Sequence, residues 1–297
     1  MEKEVRILLE EPGYRRIIDN FESSLIEVQY QWNVFFDTPT FDLKKSRRIL
    51  RLRSLKTVVI NQSLSQLAHR QHKRHHKDGE KKKERKEKKE KKERKKDRKS
   101  KRDDRDESTE VSEASQADVT SISETSQIQT PVNLSLGQLG TLPNVKTKWI
   151  LTLKRPGVIK DGVANRPEKE TEISVELAQE FIAHPSQILE NAPKKIKKYL
   201  KDCADWKNFE IVGDFVNYRR LLSFENLIVE ADETVLPNRS IFFEIEIESE
   251  DTQAAKQKIE QKMRELRISF VNSNVVKLDR LLKLKPELRC SRVFSKQ

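Results

Sequence analysis

Eight stretches of the chain alternate apolar and polar residues with a period of two, the pattern of a strand buried on one face only. They are residues 1–9 (MEKEVRILL), 28–37 (VQYQWNVFFD), 48–55 (RILRLRSL), 148–156 (KWILTLKRP), 170–175 (ETEISV), 214–224 (DFVNYRRLLSF), 226–234 (NLIVEADET) and 240–249 (SIFFEIEIES). Most are joined by brief turns, which predicts an antiparallel sheet or barrel. Helical spacing of apolar residues predicts helices over 13–24, 185–203 and 252–267, and a shorter one after Ser273. The expected class is α+β.

The pattern stops between residues 57 and 145. There the chain is polar, then Lys/Glu-rich, then Ser/Thr-rich, and it holds too few apolar groups to offset the entropy of ordering. The expectation is one discontinuous domain, 1–56 with 146–297, interrupted by a long disordered basic insertion. Charge sharpens this division. The net charge is +12, with Lys+Arg 60 against Asp+Glu 48, and Arg70 to Asp106 alone holds 21 basic and 10 acidic residues. The remainder is close to neutral. The insertion reads as a solvated spacer, a nuclear-localisation or nucleic-acid-binding tract, or a segment recruiting polyphosphate. Its histidines, His69, His72, His75 and His76, read as solvated.

Several classes are excluded. No apolar run approaches the roughly 20 residues of a membrane helix, and MEKEVRILLEEPG lacks the apolar core of a signal peptide. Cys203 and Cys290 make neither a disulfide framework nor a metal-ligand spacing. The expected location is reducing, the cytoplasm or the nucleus. Phosphate-loop, dinucleotide, nucleophile-elbow and zincin motifs are absent.

The chemistry lies on the alternate face of the strands. Glu2, Glu4 and Arg6 share one side of the first strand, and Arg51 and Arg53 share one side of the third. Lys154 ends the fourth. Arg166, Glu168, Glu170 and Glu172 follow at intervals of two, Arg219 sits in NYRR, Glu230 and Asp232 in VEADE, and Glu244, Glu246 and Glu248 in FEIEIE. Some strands are acidic on that face and others basic, and like charges repel unless opposite charges face them. A barrel with the charged face inward lets acidic and basic strands look across one lumen. Carboxylates there suit a hard divalent cation, and guanidinium and ammonium groups suit phosphate.

These blocks resemble the CYTH, or triphosphate tunnel metalloenzyme, superfamily. Glu2-x-Glu4-x-Arg6 is similar to its amino-terminal ExExK signature. NVFFDTP with LRLR resembles the second block, LTLKRPG the central lysine strand and VGDFVNYRR the arginine strand. EADE with FEIEIE resembles the acidic strands, and SNxxxK, ending at Lys277, the closing lysine. The match runs in order through about 208 residues and is nearest to small stand-alone plant and bacterial inorganic triphosphatases. It implies an eight-stranded antiparallel tunnel that hydrolyses a triphosphate, most simply inorganic tripolyphosphate, with Mg²⁺ or Mn²⁺. Glu2, Glu4, Glu244 and Glu246 would hold metal, with Asp232 and Glu170 or Glu172 assisting. Arg6, Arg51, Arg53, Lys154, Arg219 and Lys277 would hold the phosphoryl groups. The alternatives are RNA 5′-triphosphatase, thiamine triphosphatase, class IV adenylyl cyclase and a non-catalytic polyphosphate-binding module. Two departures stand out: Arg6 replaces the signature lysine, and Leu8 stands where a further basic residue is common. Asp37 reads as a turn residue, and Trp32 and Trp149 as packing residues between barrel and helices.

Overall fold

The structure, a computed structural model, describes residues 2–61, 63, 65, 147–200 and 208–290. Eleven strands form one antiparallel sheet: β1 (Glu2–Leu9), β2 (Leu25–Asp37), β3 (Ile49–Val59), β4 (Thr147–Lys154), β5 (Val158–Lys160), β6 (Val163–Arg166), β7 (Glu168–Ile173), β8 (Glu210–Phe224), β9 (Leu227–Val235), β10 (Ile241–Glu248) and β11 (Phe270–Asn272). Their order is β5-β6-β1-β10-β9-β8-β2-β3-β4-β7, with β11 also on β1. All eight predicted strands are present. The additional β5, β6 and β11 span only three or four residues each, too few to show an alternation.

The predicted closed barrel is not closed by hydrogen bonds. Pro167, which has no N–H to donate, is the single residue between β6 and β7. On one side of it β6 pairs with β1, and on the other β7 pairs with β4. One chain segment therefore links the β1 side of the sheet to its β4 side, and the link is covalent. The Pro167 carbonyl accepts the backbone N–H of Arg155 at 2.8 Å, which pins the bend.

Among the described residues, the sheet is flanked by α1 (Glu11–Asn20), α2 (Asp42–Lys45), α3 (Val175–Ala183), α4 (Ile188–Asn191), α5 (Lys194–Leu200), α6 (Thr252–Glu265) and α7 (Lys277–Leu282). The predicted strand 170–175 gives way after Ile173 because the Ser174 side chain accepts the N–H of Leu177 at 3.2 Å and starts α3. The predicted helix 185–203 is broken by Pro193, which separates α4 from α5; residues 201–203 lie outside the described residues, as does the insertion core with its histidines. Asp37 behaves as a turn residue. Its carboxylate accepts the N–H groups of Thr38, Leu43 and Lys44 at 2.8, 2.8 and 3.0 Å and so caps α2.

Helices cover the outer face of the sheet. α1 and α6 bury Val5, Ile7, Val229, Ala231, Ile245 and Ile247, while α3, α4 and α5 bury Val34, Leu50, Leu52, Leu151 and Leu153. Trp32 and Trp149 meet edge to face on this outer side, their ring centroids 6.1 Å apart. A third apolar cluster lies on the inner face at one end. Phe35, Phe215, Leu236, Ile49 and Phe242 continue the inward rows of their strands and pack on Leu278 and Leu281 of α7. α7 is thus a stopper at one end of the lumen.

Candidate active site: a two-sided charged lumen

Because the apolar sides of the strands face the helices, every second residue faces the lumen. The alternation in FEIEIE and VEADE then brings Glu244 and Glu246 of β10 beside Glu230 and Asp232 of β9, with Glu244 opposite Asp232 and Glu246 opposite Glu230 in register. β1 adds Glu4 and Arg6, with Arg6 opposite Glu246. These carboxylates form one wall.

Arg219 of β8 is the hub of that wall. Its Nε and Nη2 donate to the two oxygens of Asp232, each at 2.7 Å, and Nη2 also reaches Glu246 Oε2 at 2.7 Å. Nη1 pairs with Glu230. Burial alone would lower the guanidinium pKa, but Asp232, Glu230 and Glu246 hold it well above its ordinary value. Lys277, at the start of α7, pairs with Asp232, with Glu246 at 3.1 Å and with Glu244 at 3.7 Å. Its pKa is raised too, since Asp232, Glu246 and Glu244 outweigh burial.

Arg6 sits 3.5 Å from Glu244, 3.5 Å from Glu246 and 3.6 Å from Glu4, and its buried Nε and Nη1 have no hydrogen-bond partner. It is held by charge rather than by directed bonds. The carboxylates divide accordingly. Burial acts against the charge on Glu246, yet Lys277, Arg219 and Arg6 hold its pKa well below the ordinary carboxylate value; Asp232 is likewise lowered by Arg219 and Lys277. Glu4 is raised by burial and by Glu246, and Glu230 is pushed up to about 8 by burial, which outweighs Arg219. Glu244 accepts the Ser273 hydroxyl at 2.7 Å, while its buried Oε2 has no hydrogen-bond partner.

The opposite wall is basic. Lys154 pairs with Glu168 at 3.0 Å, and Arg51 Nη2 contacts Thr152 Oγ1 at 3.3 Å and Glu170 Oε1 at 3.4 Å. Arg53 has no carboxylate partner among the described residues. Its Nε donates to Asn33 Oδ1 at 3.0 Å, and burial with Arg51 and Arg219 nearby lowers its pKa to about 10. Between the walls runs a neutral sector in which Thr234 donates to Asn217, Asn217 to Gln31, and Gln31 to Gln29.

Of the residues expected from sequence, Glu4, Arg6, Asp232, Arg219, Glu244, Glu246 and Lys277 converge on the acidic wall, and Arg51, Arg53 and Lys154 line the basic one. Glu170 and Glu172 stand apart from the acidic wall. They lie on β7, where Glu170 engages Arg51 and Thr152 and Glu172 lies 4.0 Å from Lys148. The backbone of Glu2 pairs with Arg166, and its side chain lies outside the described residues. Leu8 is opposite Glu244 in register. Glu230, Asn33 and Thr152 join the site without having been singled out as ligands. Glu230 had a signal, since it lies two residues before Asp232 on the same strand face.

Family comparison decides the assignment: the CYTH domain model matches residues 1–62 and 144–275. The chain belongs to the CYTH family. Among solved structures, this CYTH chain is similar to a Hippeastrum protein described as a candidate adenylyl cyclase that reveals a dominant triphosphatase activity. The identity is 20%, covering 96% of this chain and 98% of that one, with a TM-score of 0.60. It is also similar to a candidate adenylate cyclase from Bacillus halodurans, at 16% identity over 94% and 98% of the two chains, with a TM-score of 0.50. At such identities the likeness shows the fold alone. No curated protein matches the sequence.

The acidic wall offers hard oxygen donors of the kind that Mg²⁺ and Mn²⁺ prefer, and Glu244 Oε2 is a buried acceptor with no hydrogen bond. The residues therefore suit a divalent cation in chemistry. Among the described residues no three His, Cys, Asp or Glu side chains are arranged as ligands of one ion, because the carboxylates turn to Arg6, Arg219 and Lys277. Among the described residues, no helix is long and apolar enough to cross a membrane.

Proposed function

We propose that this CYTH protein is a divalent-metal-dependent triphosphatase that cleaves the terminal phosphoanhydride of inorganic tripolyphosphate. The observation that carries the reading is the two-sided lumen. A carboxylate wall around Asp232, Glu244 and Glu246 faces a basic wall in which Arg53 has donors left over. A pure phosphate binder gains nothing from clustered buried carboxylates. Glu4, Asp232, Glu244 and Glu246 are the groups that would hold Mg²⁺ or Mn²⁺, which when bound would neutralise phosphate charge and supply an activated water. Arg51, Arg53 and Lys154 grip the phosphoryl oxygens. Arg6, Arg219 and Lys277 stabilise charge developing on the group in transfer.

An inorganic substrate is favoured over a nucleotide because the described residues of the lumen offer no free aromatic face. Among the described residues its inward aromatic side chains Phe35, Phe215 and Phe242 are packed into the α7 stopper. Tyr30, Trp32, Trp149 and Tyr218 lie on the outer side.

Phosphate release from tripolyphosphate, ATP, thiamine triphosphate and 5′-triphosphate RNA, each with Mg²⁺, Mn²⁺ or EDTA, tests the reading. The wild type should turn over tripolyphosphate fastest and only with metal, and Glu4→Ala/Glu246→Ala should abolish release. Tight tripolyphosphate binding without release from any substrate would leave a binding module in its place.

A further inference from the structure

The cations of the acidic wall are shared unequally among its carboxylates. Both oxygens of Asp232 accept from Arg219, and one of them also pairs with Lys277. Glu246 accepts from Arg219 at Oε2 and from Lys277 at Oε1. Glu244 is served differently. Arg6 at 3.5 Å and Lys277 at 3.7 Å attract it by charge. Its hydrogen bond, however, comes from a neutral group, the Ser273 hydroxyl at Oε1, and its buried Oε2 has no hydrogen-bond partner among the described residues.

Ser273 is buried, and the backbone around it is fixed. Its N–H donates to the Arg6 carbonyl at 2.9 Å, and the Arg6 N–H donates to the Gly162 carbonyl at 2.7 Å. The Gly162 N–H in turn donates to Asn274 Oδ1 at 3.0 Å. β1, the turn between β5 and β6, and the link from β11 to α7 therefore lock together at this point. The Ser273 hydroxyl has one proton to give. Glu244 Oε1 lies 2.7 Å away and the Val275 carbonyl 3.4 Å away, so the proton goes to the carboxylate. A bond of that length from a hydroxyl to a charged oxygen is a strong one. A cation arriving at Asp232 or Glu246 has to displace a guanidinium or an ammonium group. At Glu244 Oε2 there is no hydrogen bond to break, and the group that steadies the carboxylate carries no charge to repel the newcomer.

We propose that Ser273 is a positioning residue whose hydrogen bond to Oε1 fixes the Glu244 carboxylate with Oε2 open as the acceptor presented to a divalent cation. The inference rests on the metal-dependent reading and deepens it, naming the carboxylate that is set in advance and the group that sets it. A side chain that hydrogen-bonds a metal-binding group orients it, and its loss typically weakens metal binding by about 10–100-fold.

The test measures Mn²⁺ binding to the full chain without substrate, by titration calorimetry and by the electron paramagnetic resonance of free Mn²⁺. The variants are Ser273→Ala, Ser273→Thr, Glu244→Gln and Ser273→Ala/Glu244→Gln. Ser273→Ala should weaken Mn²⁺ binding about tenfold, and Ser273→Thr, which keeps the hydroxyl, should stay within about twofold of wild type. Glu244→Gln should weaken binding as well. Adding Ser273→Ala to it should then change the affinity by less than about twofold, because the hydroxyl acts through that carboxylate. Urea unfolding without metal is followed in parallel. A merely structural role would lower the stability of Ser273→Ala and leave its Mn²⁺ affinity unchanged, which would overturn the proposal. Tighter binding by Ser273→Ala, or a full tenfold loss on adding it to Glu244→Gln, would overturn it too. A wild type that binds no Mn²⁺ would refute the metal-dependent reading and this inference with it. A wild type that binds Mn²⁺ equally well with and without the hydroxyl would refute the inference alone.

Discussion

Replacing Arg219 by methionine tests whether the acidic wall is as dry and as tightly coupled as the geometry requires. The substitution keeps most of the side-chain volume and removes the only group among the described residues that touches Asp232, Glu230 and Glu246 together. Lys277 remains for Asp232 and Glu246, so Glu230 loses most. Removing one partner of a buried ion pair typically destabilises by about 3–5 kcal/mol, a large share of the roughly 5–15 kcal/mol that holds a domain together. With a urea m-value of about 2 kcal/mol/M, the unfolding midpoint should fall by about 2 M. The sign of the pH dependence follows. Carboxylates stripped of a cation have folded-state pKa values above their unfolded ones, so the variant recovers stability as pH falls and loses it as pH rises. Urea titrations at pH 5 and pH 8, with EDTA and with excess Mg²⁺, measure all of this. Mg²⁺ should restore more stability to the variant than it adds to the wild type, because the freed carboxylates can take the cation. A loss below about 1 kcal/mol, the same at both pH values, would refute the reasoning, since that is the worth of a solvent-screened surface pair.

Glu230→Gln should flatten the pH dependence of the metal-free protein. A carboxyl raised to about 8 when folded weakens the fold as pH climbs from its unfolded value towards 8, so chemical denaturation across that range should show a shallower decline in the variant. Asn33→Asp should raise the KM for tripolyphosphate about tenfold, by about 1.4 kcal/mol of new competition for Arg53, whereas Asn33→Ala should raise it less; steady-state kinetics separates the two. Leu281→Ala should cost about 2–5 kcal/mol by opening a cavity in the stopper, read by urea unfolding. Gly162→Ala should cost about 1–3 kcal/mol, because φ there is +74° and a Cβ would come within 2.8 Å of the Arg6 carbonyl; thermal unfolding checks it.

The long strands were legible because their alternation is carried by six or more residues, as in EKEVRILL and IFFEIEIE, and the segregation of acidic from basic faces pointed to an inward lumen. Neighbour identity was not legible. Glu170 and Glu172 have the same spacing as Glu244 and Glu246, yet they sit against β4 rather than β1, and pairing depends on where the chain turns. The start of α3 was hidden because the alternation of ETEISV runs through the Ser174 cap. The stopper escaped notice for a different reason. Phe35 and Phe215 look like ordinary strand residues until α7 arrives from over sixty residues further along the chain.

The bend at Pro167 has a mechanical consequence. Everywhere else around the ring, separating two strands means breaking a ladder whose bonds each contribute about 0.5–1.5 kcal/mol. Between β6 and β7 there is no ladder; they meet at Pro167, where the Arg155 N–H donates to the Pro167 carbonyl and the Arg166 guanidinium donates to the carbonyls of Arg155 and Arg47. That place is a seam held by a few directed bonds instead of a ladder. Widening the lumen there breaks those few bonds while the paired strands keep their register, and the edge amides of β7 should be the first in the ring to exchange with solvent.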